Sequence, residues 1–269
     1  MKNRTNISAA EKAQLLDLIH AFADRARTET LRHFRQPELT ADNKSGDGFD
    51  PVTIADRAVE QLIRDSLARL RPHDGITGEE FGPVPTSSGL TWIIDPIDGT
   101  RSFLSGTPCW GVLVAVADDQ GPFLGVIDQP YIGERFVGGL GVAQVTGPHG
   151  TTALRCRNTR VLADAIVFST FPEIGTEGER AAFQRVSAAC RLTRYGMDCY
   201  AYALLALGQI DLVIEAGLNI YDIAAPLAVI EAAGGVVTDW QGAAVGDSGQ
   251  VIAAANPQIH ARALALLSA

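Results

Sequence analysis

The stretch WIIDPIDGTRSF, Trp92 to Phe103, constrains the fold of this chain more than any other. Its apolar opening reads as a buried strand, yet that strand delivers Asp95 and Asp98 onto a proline, a glycine and a threonine. An unpaired charge withdrawn from water is costly, so something cationic is expected at the end of the strand. Two other segments end in the same way. GEE, Gly78 to Glu80, closes a short apolar run, and YDIAAP, Tyr221 to Pro226, sets Asp222 at the start of a helix.

Hard divalent cations such as Mg²⁺ take oxygen ligands and keep several waters, so a few carboxylates plus a substrate phosphate make the expected site. Asp95 and Asp98 are suited to sharing two ions, and the carbonyl of Ile97 between them can face the same metals. Ionised Glu79, Asp95, Asp98 and Asp222 bring four negative charges and a phosphate dianion two more. Two divalent cations leave a modest excess and three cancel it, so phosphate binding without metal is disfavoured.

The rest of the chain is read around that set. The 269 residues, 46% hydrophobic, suffice for one large domain or two closely packed ones. The net charge of −9 argues against a nucleic-acid partner. No apolar run reaches membrane-spanning length and the start of the chain lacks a signal-peptide core, so a cytoplasmic protein is expected. The four cysteines (Cys109, Cys156, Cys190, Cys199) lack metal or disulfide spacing and read as reduced thiols. SAAE, Ser8 to Glu11, has capping-box spacing and opens a long helix with Leu15, Leu18, Ile19, Phe22 and Ala26 on one face. Gln36 to Pro51 reads as a loop. A helix follows from Thr53 as N-cap, with Ile54, Ala58, Leu62 and Ile63 apolar. Strands around Ile76, Trp92, Trp110, Leu124 and Arg135 form a cluster that looks antiparallel, up to the GPHG turn at Gly147 to Gly150. Beyond it strand and helix alternate in a βαβ rhythm, with helices near 177–191, 200–207 and 222–233. The expectation is a mixed α+β half over 1–145, with most metal ligands, and an α/β half over 146–269, with Asp222 and the substrate-selecting residues, the two acting as one catalytic unit.

Each residue taken alone has a plainer explanation. Asp56 suits the first turn of a helix and Asp222 an N-cap. Glu79 and Glu80 suit a solvated turn, and Arg101 serves phosphate or faces solvent. His20, His33, His73, His149 and His260 show no ligand spacing. The joint occurrence of the segments favours function.

DPVTIAD (Asp50 to Asp56), GEE, WIIDPIDGT and YDIAAPLAVIEAAGG, in this order, resemble the inositol monophosphatase family of Mg²⁺-dependent, lithium-sensitive phosphatases. The resemblance implies an α/β layered sandwich, αβαβα, often assembled as a homodimer. It implies metal ligation by Glu79, Asp95, the Ile97 carbonyl, Asp98 and Asp222, with two or three Mg²⁺. Tyr221 departs from the tryptophan of many members but keeps an aromatic before the ligand. Within the family, RSFLSGTPCWG, QPYIGERF and RYGMDCYAYALLALGQIDLVIEAGL resemble the histidinol-phosphate phosphatases.

The chemistry expected is hydrolysis of a small phosphate ester by metal-activated water, since no serine or cysteine sits in a nucleophile elbow and no histidine is near the acids. Glu79 and Thr100 are the natural holders of that water, and the resemblance adds that Asp56 accepts from the Thr100 hydroxyl. The amides of Gly99 and Thr100 are placed for phosphate oxygens. Asp198 and Glu215 are candidates for the substrate ammonium, Asp198 having an N-cap as its alternative. Rival readings are an inositol-1-monophosphatase or broader phosphatase of the family, and an idle metal-binding protein on the same fold. An aspartyl-phosphate mechanism needs a D-x-D spacing, which D-x-x-D breaks.

Overall fold

The computed structural model describes residues 7–37, 39–43, 51–246 and 249–269. Asp50 of the first motif and half of the expected 36–51 loop lie outside these. Of that loop, β1 (Ala41–Asn43) is a short strand paired antiparallel with β2 (Pro51–Thr53). Helix α1 (Ala9–His33) starts at Ser8, whose hydroxyl accepts from the Glu11 N–H at 3.1 Å. The Glu11 carboxylate accepts from Arg71 instead of completing a box. Helix α2 (Ile54–Leu70) is capped by a full box between Thr53 and Asp56.

Seven strands form the first sheet: β3 (Gly75–Gly78), β4 (Thr91–Asp98), β5 (Gly111–Asp118), β6 (Gly121–Gln129), β7 (Glu134–Gly139), β8 (Val142–Gly147) and β9 (Gly150–Ala153), in that spatial order. Short helix α3 (Thr100–Ser105) follows β4. The expected antiparallel cluster needs one correction, because β3 and β4 run parallel while every other pair in the sheet is antiparallel. The connection over 79–90 returns the chain to the same end of the sheet before β4 begins, which dictates parallel pairing.

The second sheet holds β10 (Ile166–Ser169), β11 (Leu192–Tyr195), β12 (Leu212–Glu215), β13 (Val236–Thr238) and β14 (Val251–Ala254), in the order β11-β10-β12-β14-β13. Pairs β10–β11 and β10–β12 are parallel, as the βαβ rhythm implies, and the β14 pairs are antiparallel. Helices α4 (Glu177–Ala189), α5 (Asp198–Ala206), α6 (Ile220–Ala232) and α7 (Pro257–Leu267) complete the chain.

Three apolar clusters define five layers. Leu15, Ile19, Phe22, Val59, Ile63 and Leu67 of α1 and α2 pack on Trp92, Val114 and Val126 of the first sheet. Its other face meets α5 and α6 through Leu113, Ile127, Tyr202, Ile223 and Val229, in one cluster that continues to Val213 and Ala253 of the second sheet. Phe183 of α4 and Ile259 of α7 cover the outer side of that sheet with Val167 and Ile252. The result is the layered αβαβα sandwich. Helix α6, apolar nearly all round, suits a layer enclosed between two sheets. The first sheet runs past residue 145, through β9, and the second begins at Ile166.

Candidate active site

Side chains of a regular strand alternate, so residues three apart face opposite sides. Asp95 and Asp98 escape this rule because β4 carries a bulge: Asp95 lies opposite Leu113 and Asp98 opposite Gly111, three steps matched to two. The irregularity includes Pro96, which has no N–H to give a ladder. Both acids then meet Asp222, and carboxylate oxygens of Asp95, Asp98 and Asp222 lie within 4.8 Å of one another.

Asp95 is buried, accepts from the Ile97 N–H at 3.1 Å and shares a side-chain hydrogen bond with Glu79. Burial, reinforced by the charges of Glu79, Asp98 and Asp222, holds its carboxyl well above the usual range. Asp98 accepts the Cys199 N–H at 2.5 Å and is pushed up by burial, then by Asp198 and Asp222. Acids crowded out of water raise one another's proton affinity, and a divalent cation relieves both penalties, so this donor set fits one. Asp222 is the third residue of α6, not its cap. Asn219 is the N-cap, and Asp222 accepts its backbone N–H at 2.6 Å.

Glu79 lies just beyond β3, its N–H donating to the Ile94 carbonyl at 3.2 Å. The turn after it is held by a residue missed in the sequence. Buried Glu60 of α2 accepts the N–H groups of Glu80 at 2.7 Å and Phe81 at 3.2 Å, and the Arg64 Nε at 2.7 Å. The buried face of α2 includes Ala55, Asp56, Val59, Glu60, Ile63 and Leu67; of the expected apolar residues Ile63 is buried, Ala58 and Leu62 are half-buried at the margin, and Ile54, 67% exposed, lies outside it. The i, i+4 spacing of Asp56 and Glu60, continued by Ile63 and Leu67, was the available signal.

Thr100 stands at the start of α3, its hydroxyl 3.1 Å from the Ile97 carbonyl and 3.5 Å from Asp56 Oδ1. Asp56 is buried and its carboxyl is pushed up to about 6 by desolvation, against the hydrogen bonds it accepts from Thr53. Gly99 has φ 84°, a left-handed value, and its α-carbon faces Asp198 so closely that an added Cβ would stand 2.9 Å from the Asp198 carboxyl. Asp198 is the first residue of α5 rather than its N-cap, which is Met197. Its carboxylate accepts from the Ser102 hydroxyl at 2.5 Å, a partner the sequence reading overlooked, and burial raises it against the pull of Ser102 and Arg101.

Glu215, buried at the end of β12, accepts the Thr170 N–H at 2.6 Å, the Thr170 hydroxyl at 2.9 Å and the Ser169 hydroxyl at 3.2 Å. Desolvation pushes it up to about 8. Exposed Arg101 lays its guanidinium over the Phe171 ring, 4.9 Å from the centroid. A pocket of about 200 Å³ is lined by Asp98, Asp222, Asp198, Glu215, Phe171 and Tyr202 among others, whereas Arg101, Glu79, Asp95 and Thr100 do not line it. None of the five histidines lines it, and all four cysteines are free thiols.

A family model described as the inositol monophosphatase family matches residues 11–269. A bifunctional phosphatase, IMPL2, chloroplastic, of Arabidopsis thaliana is 37% identical over 97% of this chain and 79% of its own length. A histidinol-phosphatase of Mycobacterium tuberculosis is 36% identical over 94% of this chain and 98% of its own. Among solved structures, an inositol monophosphatase from Zymomonas mobilis superposes with TM-score 0.84 at 36% identity, covering 97% of this chain and all of that one.

Proposed function

Since the chain belongs to the inositol monophosphatase family, whose members are phosphatases, we propose that it hydrolyses L-histidinol phosphate to L-histidinol and phosphate with Mg²⁺ at the acidic site. The observation that carries this reading is the pocket, which puts two acids outside the metal set, Asp198 and Glu215, beside Asp98 and Asp222. Histidinol phosphate brings an ammonium for such acids, whereas inositol phosphate brings only neutral hydroxyls. Relatives named histidinol-phosphatase, similar over nearly their whole length, support the same substrate.

In this reading Glu79, Asp95, the Ile97 carbonyl, Asp98 and Asp222 hold two or three Mg²⁺. Such ions supply an acidified water and neutralise the leaving alkoxide. The protein's part is to orient. Glu79 and the Thr100 hydroxyl hold the attacking water, and Asp56, 3.5 Å from that hydroxyl, accepts its hydrogen bond so that the hydroxyl oxygen faces the water. The Gly99 and Thr100 amides receive phosphate oxygens, and Arg101, one residue on, adds positive charge there. The ammonium faces Asp198, and Glu215, which keeps its proton at neutral pH and accepts from Ser169 and Thr170, shapes the same pocket. We extend the proposal to a cytoplasmic homodimer.

A second reading, inositol-1-monophosphatase, keeps the same metal residues, and the Zymomonas structure is as similar in sequence as the histidinol-phosphatase relative. An idle protein is disfavoured, since none of Glu79, Asp95, Asp98, Thr100 and Asp222 is replaced. The deciding experiment is kcat/KM on histidinol phosphate and inositol 1-phosphate side by side, with Mg²⁺ and with chelator. We expect Mg²⁺-dependent turnover favouring histidinol phosphate at least 10-fold. Preference for inositol 1-phosphate overturns the reading.

A further inference from the structure

Phe171 follows β10 at the mouth of the acidic pocket and is 43% exposed, although the backbone that carries it is fixed. Thr170 gives its N–H and hydroxyl to buried Glu215, while its carbonyl accepts the Gly196 N–H at 3.1 Å. A lone exposed phenylalanine means little. This one differs because a planar, nitrogen-rich cation already lies on its face, the Arg101 guanidinium at 4.9 Å from the ring centroid. The ring therefore stands as a platform for a flat π-system carrying partial or full positive charge. It does so in the cavity that also holds Asp98, Asp222 and Asp198.

We propose that Phe171 is a specificity-determining residue whose ring carries the imidazole of the substrate, taking over the place that Arg101 occupies in the free protein. The inference rests on the histidinol-phosphate reading and extends it. With the phosphate at the Asp98 and Asp222 end and the ammonium at Asp198, the third part of the substrate falls at the wall that Phe171 forms. Arg101, lifted from the ring, is left one residue from Thr100, where the phosphate is assigned. Glu215 then has a second part to play, since it anchors the segment that aims the ring.

The test compares histidinol phosphate with alaninol phosphate, which keeps the ammonium and the ester but has no ring, in the intact protein and in Phe171→Ala, Phe171→Leu and Phe171→Tyr. We expect Phe171→Ala to lower kcat/KM for histidinol phosphate roughly 3- to 10-fold, mostly in KM, in line with ring-on-ring and cation-on-ring contacts elsewhere. Alaninol phosphate should change less than about 2-fold on the same scale, which also reports that the variant is folded. Phe171→Tyr should restore the ratio, with Phe171→Leu between. Histidinol as a competitive inhibitor should weaken by the same factor in Phe171→Ala, a readout independent of turnover. If histidinol phosphate is hydrolysed but both esters lose rate equally, or neither does, the inference alone fails. If the intact protein leaves histidinol phosphate untouched, the functional reading fails and takes this one with it.

Discussion

The Thr100 hydroxyl has one proton and two acceptors in reach, the Ile97 carbonyl at 3.1 Å and Asp56 at 3.5 Å. If the carbonyl is engaged by a cation, only Asp56 remains, and the hydroxyl oxygen is free to face a water. Thr100→Ala should therefore cost roughly 100-fold or more in kcat with KM nearly unchanged, because orienting a nucleophile matters mainly in the transition state. Thr100→Ser should retain most activity. Steady-state kinetics decide, and a loss confined to KM makes Thr100 a binding residue only. Glu215 gives a second prediction, in stability. Burial raises it from its ordinary value of 4.5 to about 8, so between those pH values the folded protein keeps a proton that the unfolded chain has lost. Stability must then fall as pH rises from about 4.5 to about 8, by up to a few kcal/mol. Glu215→Gln cannot titrate. Its melting temperature relative to the unmodified protein should climb from pH 5 to pH 9, and a difference independent of pH would show that Glu215 titrates normally.

At the scale of elements, the residues that aim a group are as informative as the group itself. Glu60 of α2 holds the turn after Glu79 by two backbone N–H groups and is paired with Arg64. Glu60→Gln keeps the shape but turns one acceptor into a donor against those N–H groups, at a cost of roughly 1–3 kcal/mol. It should also raise several-fold the Mg²⁺ concentration for half-maximal activity, since the turn carries Glu79. Denaturant melts and Mg²⁺ titrations separate the two effects, and a stability loss with an unchanged Mg²⁺ requirement makes Glu60 scaffold alone. Glu60 also marks what was legible in the sequence. Asp95, Asp98 and Asp222 could be read because a carboxylate closing an apolar run has few inexpensive explanations. The full face of α2 could not, because Asp56 and Glu60 are buried there among Ala55, Val59, Ile63 and Leu67, and a hydrophobic pattern passes over two charged residues at the element that serves the site. The parallel pairing of β3 with β4 escaped for another reason. Strand direction depends on where a connection returns, and alternation of side chains says nothing of that. The strand Val251–Ala254 and the helix Pro257–Leu267 also had no counterpart in the expectations. Partners such as Ser102 for Asp198 depend on α3 and α5 meeting across 96 residues of chain, which no local pattern encodes.

For the whole molecule the decisive feature is that the acids come from different layers. Asp95 and Asp98 belong to the first sheet, Asp222 and Asp198 to the helices between the sheets, and Glu215 to the second sheet. We therefore treat the two halves of the chain as one catalytic unit, with α6 as the joint. That helix lies so close to the first sheet that glycine is required beneath it: a Cβ on Gly125 would stand 2.5 Å from the Ala225 carbonyl oxygen, and one on Gly138 would strike the Val229 α-carbon. Neither glycine has a positive φ, so alanine at either site tests the contact and not backbone strain. Both substitutions push α6 off the sheet and should cost about 1–3 kcal/mol as overpacking. They should differ at the site. Ala225 is within one turn of Asp222, and Val229 is about two turns away. Gly125→Ala is therefore expected to weaken Mg²⁺ binding, read by calorimetry or by the Mg²⁺-induced rise in melting temperature, several-fold more than Gly138→Ala at comparable loss of stability. Equal weakening would mean that α6 moves as a rigid rod. No weakening in either would mean that Asp222 is held by its own cap at Asn219, independent of how the helix is seated.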